Sequence, residues 1–547
     1  MKRIIFLLVA VVAMHPCIQA QNTYDKGFEI AKNLEIFSAV YRNLHLNYVD
    51  DVDPGKTMKA AIDAMLASLD PYTNYYPESD MEDVKLQLMG EYGGIGALIH
   101  QNGKHVYVAE PYEGLPADAA GLKAGDMIVS VNGEDAEGKS TADVSAALRG
   151  QAGTELTLVV ERNGKRMEKK ITRKEIKLKS VSYYGFVQND VGYIKLDEFT
   201  QGSAAAVREA FKNLKSQRPG MKSVILDLRG NGGGLLNEAV GIVNIFVKRG
   251  ELVVETKGKV ATKNTKNHTR LTPEDTEIPV AVLIDGYSAS ASEITAGSLQ
   301  DFDRGVVVGS RSFGKGLVQN ILPMNYNTQM KITVSKYYIP SGRCIQAIDY
   351  AHRDANGRAL KVPDSLKTAF KTRNGRVVYD GFGIEPDVEV KPEYMSALEM
   401  VLVQKFFIFD YATQFYYAHP TIGKPSEFEI TDEIYNDFKR YLADKEYEYS
   451  TVTEKMLKEL RAAAKEENYT DSIGSDIDAL EKKFQRDKAS DLDKYRAEIS
   501  DLLKGEILVR YYYDKGRIEG ALTSDPVVAK AVEVLSDKNK YAKILGK

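Results

Sequence analysis

The stretch GYSASASEI, residues 286–294, places Ser288, Ser290 and Ser292 one residue apart with alanines between them. Hydroxyls set among such small side chains have little steric cover, and a serine oxygen that loses its proton can attack a carbonyl carbon. The preceding AVLID reads as a buried strand and the following SEITAGSLQDF as a helix, so the serines fall at a strand-to-helix corner. A helix N-terminus there favours developing negative charge by about 1–2 kcal/mol. Residue types alone do not choose among the three serines. A serine also needs a base, and the nearest histidines, His268 and His352, carry no acid partner pattern. Downstream, RSFGKGLVQN supplies a candidate in Lys315, which sits between two glycines where backbone approaches closely. Burial would lower its pKa from about 10.4 toward neutrality. Gln319 lies four residues on, and in an extended segment 315, 317 and 319 share a face. Its neutral amide would orient the lysine amine without adding a charge that keeps it protonated. Nucleophile, base and orienter form a coherent set for acyl transfer.

These residues belong to a chain of 547, too long for one core and of a size for three or four domains. Its 43% hydrophobic and 27% charged residues are ordinary globular values, which argues against extended disorder. A net charge of -4 gives no basic footprint, so no nucleic-acid partner is expected. Residues 1–20, MKRIIFLLVAVVAMHPCIQA, have two early cations, an apolar run from Ile4 to Ala13 and a small residue at Ala20, the pattern of a signal peptide. No later segment offers about 18 consecutive apolar residues. The expectation is an exported protein, periplasmic or in the cell envelope, soluble once the signal is removed. Met14, His15 and Pro16 ahead of Cys17 do not fit a lipoprotein signal, so lipid anchoring is not expected. Without Cys17 only Cys344 remains, and it reads as a buried structural thiol.

Over residues 24–88, FEIAKNLEIFSAVYRNL and MKAAIDAMLASL space apolar residues by three and four, predicting a small helical domain followed by the connector LDPYTNYYPESD. Residues 90–174 change to short strands, an Asn-Gly turn and one amphipathic helix over 141–148. Their order resembles a bacterial PDZ domain, on Gly93-Gly94-Ile95-Gly96, the string from Pro116 to Asp126, and Val131-Asn132-Gly133. Consecutive N–H groups of Gly93, Gly94, Ile95 and Gly96 would form a nest for a terminal carboxylate. A peptide would lie along the next strand, with the 141–148 helix as its other wall; the competing role is a glycine turn that permits tight packing.

From 175 to 390, the aliphatic runs VGYIKLDEF, SVILDLRG, PVAVLID and GVVVGS alternate with helical patterns, predicting a mostly parallel sheet. VQNILPM and MKITVSKYYIP read as a flanking pair of strands, and GFGIEPDVEV as a turn into a final strand. Asp227 and Arg229 in LDLRG fall at a strand end, where pairing would shape the site. Residues 394–547 carry long helical patterns with interleaved charges, the mark of a solvated helical domain. His45, His100, His105, His268, His352 and His419 show no metal-ligand spacing, so no metal is expected.

Over roughly residues 30–390 the chain resembles the C-terminal processing peptidases, or tail-specific serine proteases. The motifs that carry this are LDPYTNYYPESDMEDVKLQLMGEYGGIGALI, DLRGNGGGLL, SASASEI, RSFGKGLVQ, IPSGRCIQ and GFGIEPDVEV. The resemblance implies Ser290 as nucleophile, Lys315 as base and Gln319 as its partner. One oxyanion donor is then the N–H of Ala291; the other comes from Gly232 or Gly233, which the sequence does not separate. It also implies a multidomain α/β fold: a crotonase/Clp-protease-like spiral core, an inserted PDZ domain, and N- and C-terminal helical domains. No cofactor is implied, and the PDZ is expected to gate the site.

The expected function is an exported serine endopeptidase whose PDZ domain reads apolar free C-termini of protein or peptide substrates and which cuts through an acyl-enzyme. A non-catalytic PDZ scaffold gives no reason for Lys315 and Gln319 to accompany the serines. Export and the PDZ speak against a crotonase-like acyl-CoA enzyme. For the C-terminal block, capping the core, homo-oligomerisation and docking an adaptor protein all fit the pattern.

Overall fold

A computed structural model describes residues 26–81, 90–188, 190–488 and 490–547. The segment read as a signal peptide, 1–20, lies outside these residues, as do Cys17 and 82–89. The chain divides into two compact units. The smaller holds 26–78 and Ile321–Ile332. It contains a helix over 26–47, the helix Pro54–Ala67, and the strand Asn74–Tyr76 paired antiparallel with residues 329–331. The second helix starts on Asp53, whose carboxylate accepts the Lys56 N–H, with Pro54 at a position where a missing N–H costs nothing.

Among the described residues of the larger unit, a six-stranded sheet forms the centre. Its strands are β1 (Val181–Val187), β2 (Val191–Leu196), β3 (Ser223–Asp227), β4 (Val280–Ile284), β5 (Gly305–Gly309) and β6 (Val388–Glu389), adjacent in that order. β1 and β2 run antiparallel and every later pairing is parallel. β4 and β5 are buried at every position, which is why they read as unbroken aliphatic runs. The helices α1 (Ser203–Gln217), α2 (Leu236–Phe246) and α3 (Ala291–Asp301) connect the strands. They cover one face of the sheet through Val207, Phe211, Ile242, Phe246, Ile294 and Leu299. This is the α/β core that the alternation of patterns predicts.

The PDZ module is a second sheet in the same unit, its strands Ala97–Asn102, His105–Pro111, Met127–Val131, Glu155–Arg162 and Lys165–Thr172 adjacent in that order. The helix Thr141–Leu148 begins in a reciprocal Ser140–Asp143 capping box and packs beside the first strand.

The C-terminal block departs from the sequence reading. Residues 476–515 predict one long helix, whereas the structure has Thr470–Lys488, Asp491–Lys494 and α4 (Arg496–Ala521), the last interrupted at Tyr513 with φ of 57°. At the first break the hydroxyls of Tyr449 and Tyr435 capture the Asp491 carboxylate and the Leu492 carbonyl, side-chain bonds that periodicity does not reveal. The helical block also makes contacts with the rest of the larger unit. His100 of the PDZ stacks on Phe406 at 4.2 Å and meets Phe409 edge-on at 4.6 Å, and burial pushes its imidazole down to about 4. Tyr513 donates to Asp118 at 2.9 Å and Lys515 pairs with Glu113 at 2.7 Å.

Beyond α4, the helix α5 (Pro526–Ser536) lies on the second face of the central sheet. Val528, Ala531, Val532, Val534 and Leu535, with Leu545, pack on Ile225, Ala281, Leu283, Val306 and Val308. The last helices therefore belong to the core, because a parallel sheet needs both faces covered. Leu545→Ala is expected to cost about 2–5 kcal/mol in urea unfolding of the whole chain, as for a fully buried leucine; a cost under about 0.5 kcal/mol would mean the segment is a surface tail.

Candidate active site

The buried strand β4 ends in a turn built on Asp285, whose carboxylate accepts the N–H groups of Tyr287 and Ser288 at 3.0 Å each. The three serines that follow have different surroundings. Ser288 is buried and its hydroxyl donates to the Leu228 carbonyl at 2.8 Å. Ser292 is buried in α3 and donates to the Asn231 carbonyl at 2.8 Å. Ser290, at the N-cap of α3, is half-buried. Ser288 and Ser292 are thus structural, and Ser290 is the accessible member of the set. Its backbone sits at φ 56°, ψ −112°, a conformation that costs a side-chain-bearing residue on the order of 1–3 kcal/mol and must be held by its neighbours.

What holds it is Glu293, a fully buried carboxylate that the sequence reading did not single out. Its Oε2 accepts the N–H of Ser290 at 2.8 Å and of Lys315 at 2.9 Å; its Oε1 accepts the Ser312 hydroxyl at 2.5 Å and the Gly314 N–H at 2.7 Å. One side chain therefore ties the serine turn to the lysine loop. A second tie is the Tyr337 hydroxyl, 2.6 Å from the Lys315 carbonyl and 3.2 Å from that of Ser290. Glu293 was legible as the fourth residue of Ser-x-x-Glu, the spacing of a helix-start box. Tyr337 carries no comparable local signal.

The lysine loop, 311–316, has no regular structure and lies against the IPSGRCIQ segment, where Gln346 Oε1 accepts the Gly316 N–H at 2.7 Å. Ala347 N–H bonds the Gly314 carbonyl at 2.9 Å, and a Cβ on Gly314 would stand 2.4 Å from that of Ala347. Only glycine fits, as the flanking glycines of Lys315 suggest. Gln319 lies on the strand Leu317–Pro323, which begins after Lys315, and its amide donates to Thr333 at 3.1 Å. Of the three residues expected to share a face, 317 and 319 lie in the strand and 315 in the loop before it.

The glycine-rich segment after β3 comes up against the serine turn. Asn231, buried, accepts the Ala289 N–H at 3.1 Å on its carbonyl, and its amide donates to the Leu196 carbonyl at 2.9 Å. A Cβ on Gly233 would stand 2.8 Å from Ser290 Cβ and 2.9 Å from Ala291 N, so Gly233 and Ala291 are brought together. The Gly233 N–H donates to Asn231 Oδ1 at 2.9 Å, while the surroundings of Gly232 are open. Upstream, Arg229 grips both oxygens of the buried Asp227, which also accepts the Tyr193 hydroxyl at 2.6 Å. Burial works against the charge of Asp227, but Arg229 and Lys195 outweigh it and hold the carboxyl down to about 2.

In the PDZ, Gly93 and Gly94 pair as strand residues with Glu175 and Lys174, so successive N–H groups there alternate in direction. Any run of N–H groups facing one way is narrowed to Ile95 and Gly96, where the chain turns into Ala97–Asn102. His352 pairs with Asp349 at 2.7 Å on an exposed hairpin, and His268 lies on the strand Thr265–His268.

Family models match the chain in three places: peptidase family S41 over residues 190–352, a PDZ domain over 107–162, and "Probable PDZ-protease, C-terminal helical domain" over 398–535. A carboxy-terminal-processing protease of Bartonella bacilliformis is 36% identical over 351 residues, 63% of this chain and 79% of that protein. A protein named as a probable CtpA-like serine protease of Staphylococcus aureus is 33% identical over 342 residues, 62% of this chain and 67% of that protein. The solved photosystem II D1 C-terminal processing protease shares 27% identity with a TM-score of 0.35, over 65% of this chain and 87% of that one. A PDZ module carried with an S41 core defines the class, a serine-type peptidase. The chain belongs to peptidase family S41, with the carboxy-terminal-processing proteases.

Burial raises the Glu293 carboxyl to about 7, against the opposing effect of the four donors around it. The folded state thus binds this proton more tightly than the unfolded chain, so the stability it contributes is complete below pH 4.5 and is lost as pH rises to about 7. The unfolding free energy of wild type relative to Glu293→Gln should fall by on the order of 3 kcal/mol across that window and stay level above it. Denaturant titrations at each pH measure this, and parallel pH curves for the two proteins would contradict it.

Proposed function

We propose that this peptidase is a Ser-Lys endopeptidase that cleaves exported proteins after its PDZ domain binds their free C-terminal ends. The observation that carries the reading is that Ser290, the accessible serine of three, is joined to Lys315 through Glu293. Lys315, as a neutral amine, takes the Ser290 proton while Oγ attacks the scissile carbonyl carbon. The N–H of Ala291 holds the resulting oxyanion together with a donor from Gly232 or Gly233; the engagement of the Gly233 N–H by Asn231 favours Gly232. Collapse expels the amine, which receives the proton from Lys315, and a water activated by the same lysine then hydrolyses the acyl-enzyme. Gln319, on the strand after Lys315 and bonded to Thr333 of the neighbouring strand, orients the lysine amine in this reading.

In the PDZ, the turn at Ile95 and Gly96 takes the carboxylate, and the tail lies between Ala97–Asn102 and Thr141–Leu148. The cation-led apolar pattern of residues 1–20 supports action in the cell envelope. A reporter with an apolar tail, offered as free acid and as C-terminal amide, tests the reading. Wild type should prefer the acid, while Ser290→Ala and Lys315→Ala each lose at least ~10³-fold in kcat. Continued cutting by Ser290→Ala would remove the proposed nucleophile, and binding of the acid without any cleavage by wild type would favour the tail-binding scaffold.

A further inference from the structure

Arg229 has a second carboxylate partner that the core alone does not supply. Its Nη2 lies 2.7 Å from Asp525 Oδ2, while Asp525 Oδ1 accepts the N–H groups of Val527 at 2.8 Å and Val528 at 3.0 Å as the N-cap of α5. One carboxylate thus starts a helix and grips the arginine. The helix is itself fixed, since Val528, Ala531 and Val534 are buried on the central sheet. Charge makes the contact more than incidental. Lys195 Nζ lies 3.6 Å from Asp227 and donates to the Arg229 carbonyl at 2.5 Å, so two cations share Asp227, and Asp525 supplies the second anion. Asp197 also faces Lys195, but without Asp525 the Arg229 guanidinium keeps only the carboxylate it shares with that lysine. A cavity of about 370 Å³ lined by Tyr193, Arg229, Arg517 and Asp525 opens beside the pair, giving a released guanidinium room to swing.

The backbone that Arg229 belongs to is the one that frames Ser290. The Gly230 N–H donates to Asp285 at 3.0 Å, in the serine turn. Asn231, next along, holds Ala289 and Ser292 on either side of the nucleophile position. Movement at Arg229 is passed to the segment that must present an N–H to the oxyanion.

We propose that Asp525, carried by the C-terminal helices, is a positioning residue for the oxyanion segment 230–233, acting through Arg229. This rests on the reading of Ser290 and that segment as the reaction centre. Asn and Ser cap helices about as well as Asp, so Asp525→Asn and Asp525→Ser keep α5 started but lose the anion, whereas Asp525→Ala loses both.

The experiment measures kcat and KM on the tailed reporter, with melting temperature, for these three variants and for Asp525→Glu. Expected is a fall in kcat of about tenfold in Asn, Ser and Ala alike, a displaced donor costing less than a deleted one. KM should stay within about twofold, melting temperature should drop markedly for Ala and Glu, which cap poorly, and Asp525→Glu should nonetheless recover most of kcat. The proposal is overturned if Asp525→Asn retains wild-type kcat, or if kcat across the series follows melting temperature instead of charge. Cleavage that survives Ser290→Ala overturns the underlying reading; loss in Ser290→Ala with no effect in Asp525→Asn overturns the Asp525 role alone.

Discussion

The Glu293 carboxylate has two oxygens and four donors around it, and the local arrangement of this peptidase hangs on that ratio. Lys315 stands in a loop with no ladder of its own, and Ser290 occupies a backbone region that side-chain-bearing residues avoid. Neither position persists by local preference. A buried acceptor that takes N–H groups from both segments makes each conformation the condition for satisfying the other, since an unpaired donor there is costly. The far end of α3 is fixed in the same manner with opposite sign. Arg343 pairs with Asp301 at 2.9 Å, and Arg376 with Asp303 at 2.6 Å and Asp387 at 2.5 Å. Cations at a helix C-terminus complement its dipole, and these two come from SGRCIQ and from the turn that leads into the strand Val377–Tyr379. The helix that begins after Ser290 is thereby clamped at both ends by segments far apart in sequence.

Much of this was open to sequence reading where the signal is local. Strands buried on both faces declare themselves as aliphatic runs, so the order of β2 to β5 and of α1 to α3 followed directly. The three serines illustrate the limit. Their spacing marked the corner, but what separates Ser290 from its neighbours is that the Leu228 and Asn231 carbonyls engage the other two hydroxyls, and those come from another strand's end. Glu293 obeyed a local rule and could have been found. Tyr337 and Asn231 act across long stretches of chain, and nothing in their immediate sequence sets them apart. For Gln319 the extended pattern is a strand from Leu317 onward, with Lys315 two residues before its start.

The C-terminal block was legible as helices, and its partners were not, for a related reason. Interleaved charges along a helix describe the side that meets water and leave unsaid what the apolar side meets. Here α5 presents its apolar side to a sheet face that the other helices leave uncovered, while α4 and its neighbours meet the PDZ through His100 and Asp118. One helical segment therefore touches both the module proposed to read tails and the core proposed to cut.

The cover supplied by α5 also has a temporal meaning. The strands it shields, with the serine and the lysine loop, emerge during synthesis long before residues 526–545 exist, and closing that distance is slow for a chain folding from one end. Until then Ile225, Leu283 and Val308 face solvent, and Arg229 lacks its second carboxylate. A growing chain thus carries the middle strands of its central sheet with one face uncovered until its last twenty or so residues are made.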